Sequence, residues 1–376
     1  MAAKEDYLRP KTFDNNTTSL ALTEFTINPS PPNDHALLKA KNSIVPASML
    51  LPTGCPDYLR LILTSRVYEV VTETPSRTRP TSAAASGAMS YSSARIYSQS
   101  SVSVAYSARC FKIPAVVVMP LDTPDVKIKN VSRFGCSVIL HGTDFDAARQ
   151  EAARLEKLHG LVSIPALDDP YVIAGQGTVG MEILRQTDLQ NLTAIFCCVG
   201  LVAGIGVYIK RVAPHVKIIG VEHFNANAIV QSLKASKRVV LSEVGLFADS
   251  GSIKTADEET VRVCREVVDE IVQATTDEAC AAIKDMFEDT RSIVEPAGAL
   301  ALAGLKKWVS RNPLPNLECS LVAITSGADM EFHHLRFVAE RAALRKREAY
   351  GGAFQKYCLT LISALRRNSS WRNSHL

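Results

Sequence analysis

Short apolar runs alternate with helical patterns between residues 115 and 344, and this alternation constrains the fold more than any other feature of the chain. The runs lack the polar alternation of a half-exposed strand, so they are typical of strands buried on both faces of a sheet. Helical segments separate most of them, which predicts a parallel sheet covered by helices on both sides. The predicted strands lie at residues 115–119, 136–140, 161–164, 194–199, 217–221 and 320–324.

Proline, glycine and capping residues mark the ends of the helices between these strands. Pro124 is expected to open a helix that closes near Gly135, because proline is tolerated in a first turn and glycine favours the exit. Thr143 and Asp146 are expected to form a capping box before a helix that ends at Gly160. Later helices are predicted at residues 173–185, 201–212, 276–290, 295–309 and 332–344, and one more carries Val261, Cys264, Val267 and Ile271 on one face.

Three segments differ in composition from this core, which is expected to span residues 56–344. Residues 1–55 are polar and punctuated by proline, which predicts a flexible leader. Residues 76–109 hold eleven serines, seven alanines and four arginines. They are expected to form a loop or to be disordered, because they offer little bulky apolar surface. Residues 345–376 hold seven Lys or Arg against one acid and are expected to lie outside the core as a basic tail.

Charge and cysteine usage exclude several classes of function. A net charge of +4 gives no reason to expect nucleic acid as a partner, and no apolar run approaches the length of a membrane span. The nine cysteines form no C-x-x-C pair, which indicates a reducing compartment. The eight histidines show no recognised ligand spacing, so no metal site is predicted. The first fifty residues balance five basic against five acidic side chains, so no targeting sequence is evident, and the expected location is the cytoplasm or the mitochondrial matrix.

Four short stretches have the residue types of a ligand site. They are the glycine-rich segment from Ile173 to Gly180, the strand-to-helix turn at Gly200, the Glu295-Pro-Ala-Gly word, and the hydroxyl-rich turn at Ser326. Alone, each is better explained as a cap or a turn. In an open parallel sheet, however, ligands bind beyond the carboxyl ends of the strands, where Gly200 and Ser326 both fall.

Taken together, the sequence motifs of this chain resemble those of a known family. Five motifs carry the resemblance: Pro56-Asp-Tyr-Leu-Arg, Glu73-Thr-Pro75, the segment after Ala174, Glu295-Pro-Ala-Gly and Arg336-Phe-Val-Ala-Glu-Arg-Ala-Ala. In this order, over residues 56–344, they resemble fungal biosynthetic threonine dehydratase. The resemblance implies a fold-type II α/β enzyme, similar to the β subunit of tryptophan synthase. Such an enzyme has two parallel-sheet domains with pyridoxal 5'-phosphate between them.

The resemblance also implies an activity and roles for three residues. Family members convert L-threonine to 2-oxobutanoate and ammonia, for isoleucine or 2-aminobutyrate supply, and hold the cofactor as a Schiff base on a lysine. By position, Gly200 matches the phosphate loop, Ser326 the partner of the pyridine nitrogen, and Glu295 the acid near the cofactor face. The implied partners are a small amino acid, threonine or serine, and further subunits, either copies of this chain or an intact paralogue.

The chain departs from the family at the cofactor contacts. No lysine occurs between Lys41 and Lys112, where the family has its Schiff-base residue, so no catalytic residue is predicted and the fold is expected to be truncated in its N-terminal part. The best local match, the word from Ala84 to Ala88, places alanine at the lysine position, and Gln99 stands at the place of the ring-clamping asparagine. A degenerate gene copy and a misread gene model both remain open as explanations.

Three further, smaller departures also reduce, change or remove features of the family. The glycine run of the phosphate loop is reduced to Gly200, the family asparagine after Ser326 is Asp329, and the chain ends before a regulatory ACT-like domain. Two hypotheses follow: a threonine dehydratase with impaired activity, and a non-catalytic remnant or scaffold that pairs with an intact dehydratase. Serine racemase-like or cysteine synthase-like chemistry on the same fold is a third, which the matching words support less.

Overall fold

The computed structural model describes residues 25–26, 45–69, 77–78, 100–166, 168–245, 254–312, 319–346 and 358–362. Within these residues the strands are β1 (Phe25–Thr26), β2 (Arg77–Thr78), β3 (Val116–Met119), β4 (Ser137–Leu140), β5 (Leu192–Cys198), β6 (Lys217–His223), β7 (Glu270–Ala274), β8 (Ser320–Ile324) and β9 (Cys358–Ile362). The helices are α1 (Tyr58–Leu63), α2 (Ser100–Phe111), α3 (Asp125–Ser132), α4 (Phe145–His159), α5 (Pro170–Gln186), α6 (Val199–Val212), α7 (Ala228–Lys234), α8 (Glu258–Val267), α9 (Thr276–Thr290), α10 (Pro296–Arg311) and α11 (His334–Lys346).

The strands form two sheets. The larger has the order β1-β7-β6-β5-β8-β9-β2, and the smaller consists of β3 and β4. Strands β7, β6, β5, β8 and β9 are parallel to their neighbours, whereas β1 and β2 pair antiparallel at the two edges. Strands β3 and β4 are also parallel. The predicted α/β fold with two parallel sheets is therefore confirmed.

The larger sheet is buried on both faces, which explains its continuous apolar runs. Along β5, Ile195 and Cys197 belong to one hydrophobic core, together with residues of α5, α6 and α8. Ala194 and Phe196 point to the opposite core, which contains residues of α9 and α10. Because alternate side chains of a strand point to opposite faces, both sets must be apolar when helices cover both sides.

Helices α5 and α6 cross at very short range because glycine stands at the crossing. A Cβ atom on Gly204 would lie 2.1 Å from the carbonyl oxygen of Ile173 and 2.7 Å from the backbone nitrogen of Gly177. No side chain fits that gap. The glycine-rich segment from Ile173 to Gly180 thus serves helix packing in this structure, and its resemblance to a ligand loop has a structural cause.

Several local predictions were wrong for identifiable reasons. Residues 161–164 form no strand, and Val162 is 90% exposed. Asp144, not Thr143, caps α4 by accepting a hydrogen bond from the backbone N–H of Ala147. Strand β7 was missed because Ile271, assigned to the preceding helix, extends that helix's apolar spacing.

Two longer segments also depart from expectation. Within residues 76–109, the part from Ser100 onward begins helix α2, whose Val102, Ala105 and Ala108 pack on the smaller sheet. Three small apolar residues at helical spacing suffice there because they contact an existing core. In the basic tail, Cys358–Ile362 forms strand β9 beside β8, so this part of residues 345–376 does not lie outside the core. The domain boundaries at residues 55 and 344 remain predictions.

Candidate functional site

Gly200 lies at the start of α6, directly after β5. The N-cap of the helix is Cys198, whose side chain makes no capping hydrogen bond. The turn thus places a cysteine and a single glycine at a helix N-terminus, the position where proteins commonly bind a phosphate. Gly200 itself is half-buried.

Glu295 and Ser326 are brought together by backbone contacts. The backbone N–H of Glu295 donates a hydrogen bond to the carbonyl oxygen of Gly327 at 3.0 Å, and both the Glu295 and Ser326 side chains are buried. The approach depends on Gly298, where a Cβ atom would lie 2.1 Å from the carbonyl oxygen of Ser326. The Glu295-Pro-Ala-Gly word and the Ser326 turn therefore form one packed unit.

Sheet register places this unit beside Gly200. Strands β5 and β8 are adjacent and parallel, with Phe196 opposite Ala323, so their carboxyl ends lie side by side. Gly200 follows the first strand and Ser326 follows the second. The three residues predicted to contact a cofactor consequently share one edge of the larger sheet, which is where open parallel sheets bind ligands.

Two buried acids, Glu222 and Glu295, contribute to the raised pKa of the Cys198 thiol. Burial is the main cause that raises its pKa, to about 11, and the negative charges of Glu222 and Glu295 raise it further. The nearby backbone N–H groups of Gly200 and Val199 lower the pKa of the thiol. The thiol is therefore protonated at neutral pH. A dianionic phosphate placed here would meet two carboxyl groups and a neutral sulfur.

Glu222 is a residue of this edge that the sequence analysis missed. It lies near the end of β6, is buried, and accepts hydrogen bonds from the backbone N–H groups of Ile229 and Val230, both at 3.0 Å. Burial raises its pKa to about 8, although those two hydrogen bonds lower it. The available signal was a single acid directly after the apolar run from Ile218 to Val221.

Helix α3 contributes two further groups that the sequence analysis did not anticipate. Lys127 is buried, with its Nζ 4.0 Å from Oε2 of Glu295. Asn130 donates a hydrogen bond from Nδ2 to Oδ1 of Asp329 at 2.7 Å. Burial raises the pKa of Asp329, and the charge of Glu295 adds to this, whereas Lys127, Arg133 and the Asn130 hydrogen bond lower it.

The residues present fit only part of the cofactor that the resemblance implies. The buried Ser326 hydroxyl and the Glu295 carboxyl are suited to the edge of a pyridine ring. On the phosphate side, Gly200 alone remains of the glycine run that the resemblance implies, and Cys197, Cys198 and Val199 precede it. The sequence also lacks the family lysine; Ala84 and Gln99, which stand at family positions, lie outside the described residues. The complete group does not fit this site.

Comparison with known proteins identifies the family. The family model described as "Pyridoxal-phosphate dependent enzyme" matches residues 81–326. The threonine dehydratase-like protein AKTS1-1 of Alternaria alternata is 50% identical over 361 residues, which cover 87% of this chain and 88% of that protein. The mitochondrial threonine dehydratase of Schizosaccharomyces pombe is 48% identical over 335 residues, which cover 80% of this chain but 56% of that protein.

Solved structures agree with this assignment. The processed form of threonine deaminase isoform 2 from Solanum lycopersicum has a TM-score of 0.72 at 31% identity, covering 86% of this chain and 93% of that chain. Maize serine racemase has a TM-score of 0.65 at 22% identity, covering 78% and 98% respectively, and this likeness concerns the fold. Pyridoxal phosphate is the cofactor of this family. The chain belongs to the fold-type II pyridoxal-phosphate-dependent enzymes, as a threonine dehydratase-like member.

Proposed function

We propose that this chain is a descendant of a biosynthetic threonine dehydratase that does not convert L-threonine to 2-oxobutanoate and ammonia at a useful rate on its own. The observation that carries the proposal is the turn between β5 and α6, where Gly200 is the one glycine between Cys197 and Leu201 and follows a thiol whose pKa is raised to about 11. The missing lysine supports the same conclusion, because no lysine occurs between Lys41 and Lys112. Ancestral roles in isoleucine or 2-aminobutyrate supply come from the resemblance.

The chemistry explains why these losses matter. When bound, pyridoxal phosphate supplies an electron sink that makes the substrate Cα–H acidic. The protein must then accept that proton, and a positioned base is typically worth roughly 10²–10⁴ in rate. We assign to Ser326 and Glu295 the role of orienting a small planar group, and their burial at the same edge of the sheet supports this assignment. Neither is an amine, so neither replaces the lysine.

The test combines an absorbance spectrum with an assay of the product. Purified chain would be mixed with pyridoxal phosphate, scanned for the aldimine band, treated with borohydride, and assayed for 2-oxobutanoate. We expect no aldimine band at low cofactor concentration, no peptide fixed by borohydride, and no turnover of threonine or serine. In the positive variant, the family motif Ser-Phe-Lys-Leu-Arg-Gly-Ala replaces residues 82–88. Robust turnover by the unaltered chain would overturn the proposal.

A second candidate is a non-catalytic subunit that assembles with a complete dehydratase. It is favoured by an apolar surface at the end of α4 and in the segment after it, where Leu158, Val162 and Ile164 are 62%, 90% and 55% exposed. Large contiguous apolar exposure is typical of association surfaces. Sedimentation of the chain alone and with a complete dehydratase tests this candidate. A mixed oligomer that is lost in Val162→Asp supports it, and two independently sedimenting species contradict it.

The partner class and location follow as proposals from the same reasoning. We propose a small amino acid, threonine or serine, as the ligand class, and the cytoplasm or mitochondrial matrix as the location; the Schizosaccharomyces pombe relative is named as mitochondrial. Among the described residues, no helix has the length and apolar character needed to cross a bilayer. Titration calorimetry with L-threonine and L-serine checks the ligand class, and fluorescence microscopy of a tagged chain checks the location.

A further inference from the structure

Three metal-ligating side chains converge where the loop after Ser326 enters α11. His333 Nε2 lies 3.4 Å from Oε2 of Glu331, and His334 Nε2 lies 4.0 Å from the same oxygen. One ligand atom from each of the three residues lies within 4.8 Å of the other two. The two imidazole rings meet edge to face, with centroids 4.2 Å apart. No metal site was predicted from the sequence, because adjacent histidines match no recognised ligand spacing.

An ordinary ion pair is the alternative explanation, and both N···O distances fall within its 4.0 Å limit, but neither contact is a direct hydrogen bond. An N–H···O hydrogen bond between an imidazole and a carboxylate falls at about 2.7–3.2 Å, and both contacts here are longer. Two ligands of a tetrahedral ion, each about 2.0–2.1 Å from the metal, are separated by about 3.3 Å. The 3.4 Å contact already has this separation, and the 4.0 Å contact reaches it by a small side-chain rotation.

We propose that Glu331, His333 and His334 form a binding site for a divalent transition-metal ion of the zinc class. Two imidazole nitrogens and one carboxylate oxygen suit Zn²⁺, Co²⁺, Ni²⁺ and Cu²⁺, whereas Mg²⁺ and Ca²⁺ prefer oxygen ligands alone. The imidazoles of His333 and His334 are 64% and 45% exposed, so solvent completes the coordination. Three protein ligands with an open position are the pattern of a zinc site that exchanges its remaining ligand.

The site lies where an ion would affect the structure of the loop between β8 and α11. Glu331 lies in the loop that joins β8 to α11, and His334 is the first residue of that helix. A metal bound to both would fix the loop to the helix. The same loop carries Asp329, which accepts the hydrogen bond from Asn130. Occupancy is therefore expected to stabilise the folded chain and to reduce the mobility of the loop that begins at Ser326.

The experiment uses the full chain without an affinity tag. Co²⁺ would be titrated while its visible d–d absorption is recorded, and Zn²⁺ binding would be measured by calorimetry and by the shift in Tm. Variants His333→Ala, His334→Ala and Glu331→Gln are compared with His159→Ala, which removes an exposed histidine at the end of α4. Circular dichroism confirms that each variant folds.

The expected result is one ion per chain, a tetrahedral or five-coordinate Co²⁺ spectrum, and a higher Tm with Zn²⁺. Each histidine variant should bind about 10-fold more weakly or worse, because it loses one of three protein ligands, while His159→Ala should match the unaltered chain. Equal binding by all four variants, or no saturable Zn²⁺ binding, would overturn the proposal. Displacement of Zn²⁺ by equimolar Mg²⁺ would contradict the proposed preference of the site for ions of the zinc class.

Discussion

Lys127 and Glu295 face each other across the boundary between the two sheets, with Nζ 4.0 Å from Oε2 and side chains that are 8% and 5% exposed. Lys127 lies on α3, which packs with β3 and β4, whereas Glu295 precedes α10 of the larger sheet. Asn130 of the same helix reaches Asp329 near the end of β8. Polar contacts thus join the smaller sheet to the candidate site.

We expect Lys127→Met to lower the free energy of unfolding by about 3 kcal/mol, because it removes a buried charge and leaves the Glu295 carboxyl without this partner. Lys127→Met with Glu295→Gln should recover part of that loss, and urea denaturation of all four chains gives the coupling energy. The matched control is Lys129→Met on the same helix, whose ion pair with Asp125 is exposed. It should change stability by less than about 0.5 kcal/mol. Equal effects at the two lysines would contradict the prediction.

Gly298→Ala should destabilise the chain by about 2 kcal/mol or more, because the added Cβ would lie 2.1 Å from the carbonyl oxygen of Ser326 and 2.7 Å from that of Gly327. All of these neighbouring atoms belong to backbone, so no flexible side chain can move aside. Gly175→Ala in α5 serves as the control, since its nearest neighbour is Val67 at 3.8 Å. That change should be neutral or stabilising by about 0.5–1 kcal/mol. Thermal unfolding of both variants is the measurement.

Glu222 should make stability fall as the pH rises. Its pKa is raised from 4.5 to about 8 in the folded chain, so between these values the folded state holds a proton that the unfolded chain has released. This contribution is fully present below pH 4.5 and is lost as the pH rises through about 8. The slope approaches about 1.4 kcal/mol per pH unit. Glu222→Gln should remove it in urea denaturation between pH 5 and 8, while Glu266→Gln, exposed on α8, should leave it unchanged.

A chain that ends at Lys346 should unfold at a Tm roughly 5 °C or more below one that ends at Ile362, because only the longer chain contains β9. Strand β9 pairs with β8 along its whole length, from Ser320 opposite Cys358 to Ile324 opposite Ile362. Without it, β8 becomes an edge strand and loses those backbone hydrogen bonds. Equal melting temperatures would show that the tail lies outside the core, as its composition had suggested.

Periodicity predicted the elements of the larger sheet well because their environment is uniform. Strand β8 agrees with its predicted bounds, and α5, α6 and α9 lie within three residues of theirs. The failures occur where local pattern and tertiary contact disagree. The segment at residues 161–164 is apolar yet exposed, α2 is serine-rich yet packed, and Ile271 continues a helical spacing inside a strand.

The candidate site was predictable only in part. Gly200, Glu295 and Ser326 were found from their motifs, and the structure places all three at one edge of the larger sheet. Lys127 and Glu222 were not predicted. A lysine in a helix or an acid in a strand can be assigned to a site only when its neighbours in space are known. The raised pKa of the Cys198 thiol depends on burial and on Glu222 and Glu295, which no spacing rule reveals.

The pairing of β5 with β8 has a consequence for how the chain folds. Leu192 is opposite Ser320, so two neighbouring strands in space are separated by more than a hundred residues of chain. Contacts of such long sequence separation close large loops and form slowly. Gly200 and Ser326 are therefore brought together by a long-range pairing. During synthesis, β5 can pair with β6 first, and its other edge can pair only after Ser320–Ile324 has left the ribosome.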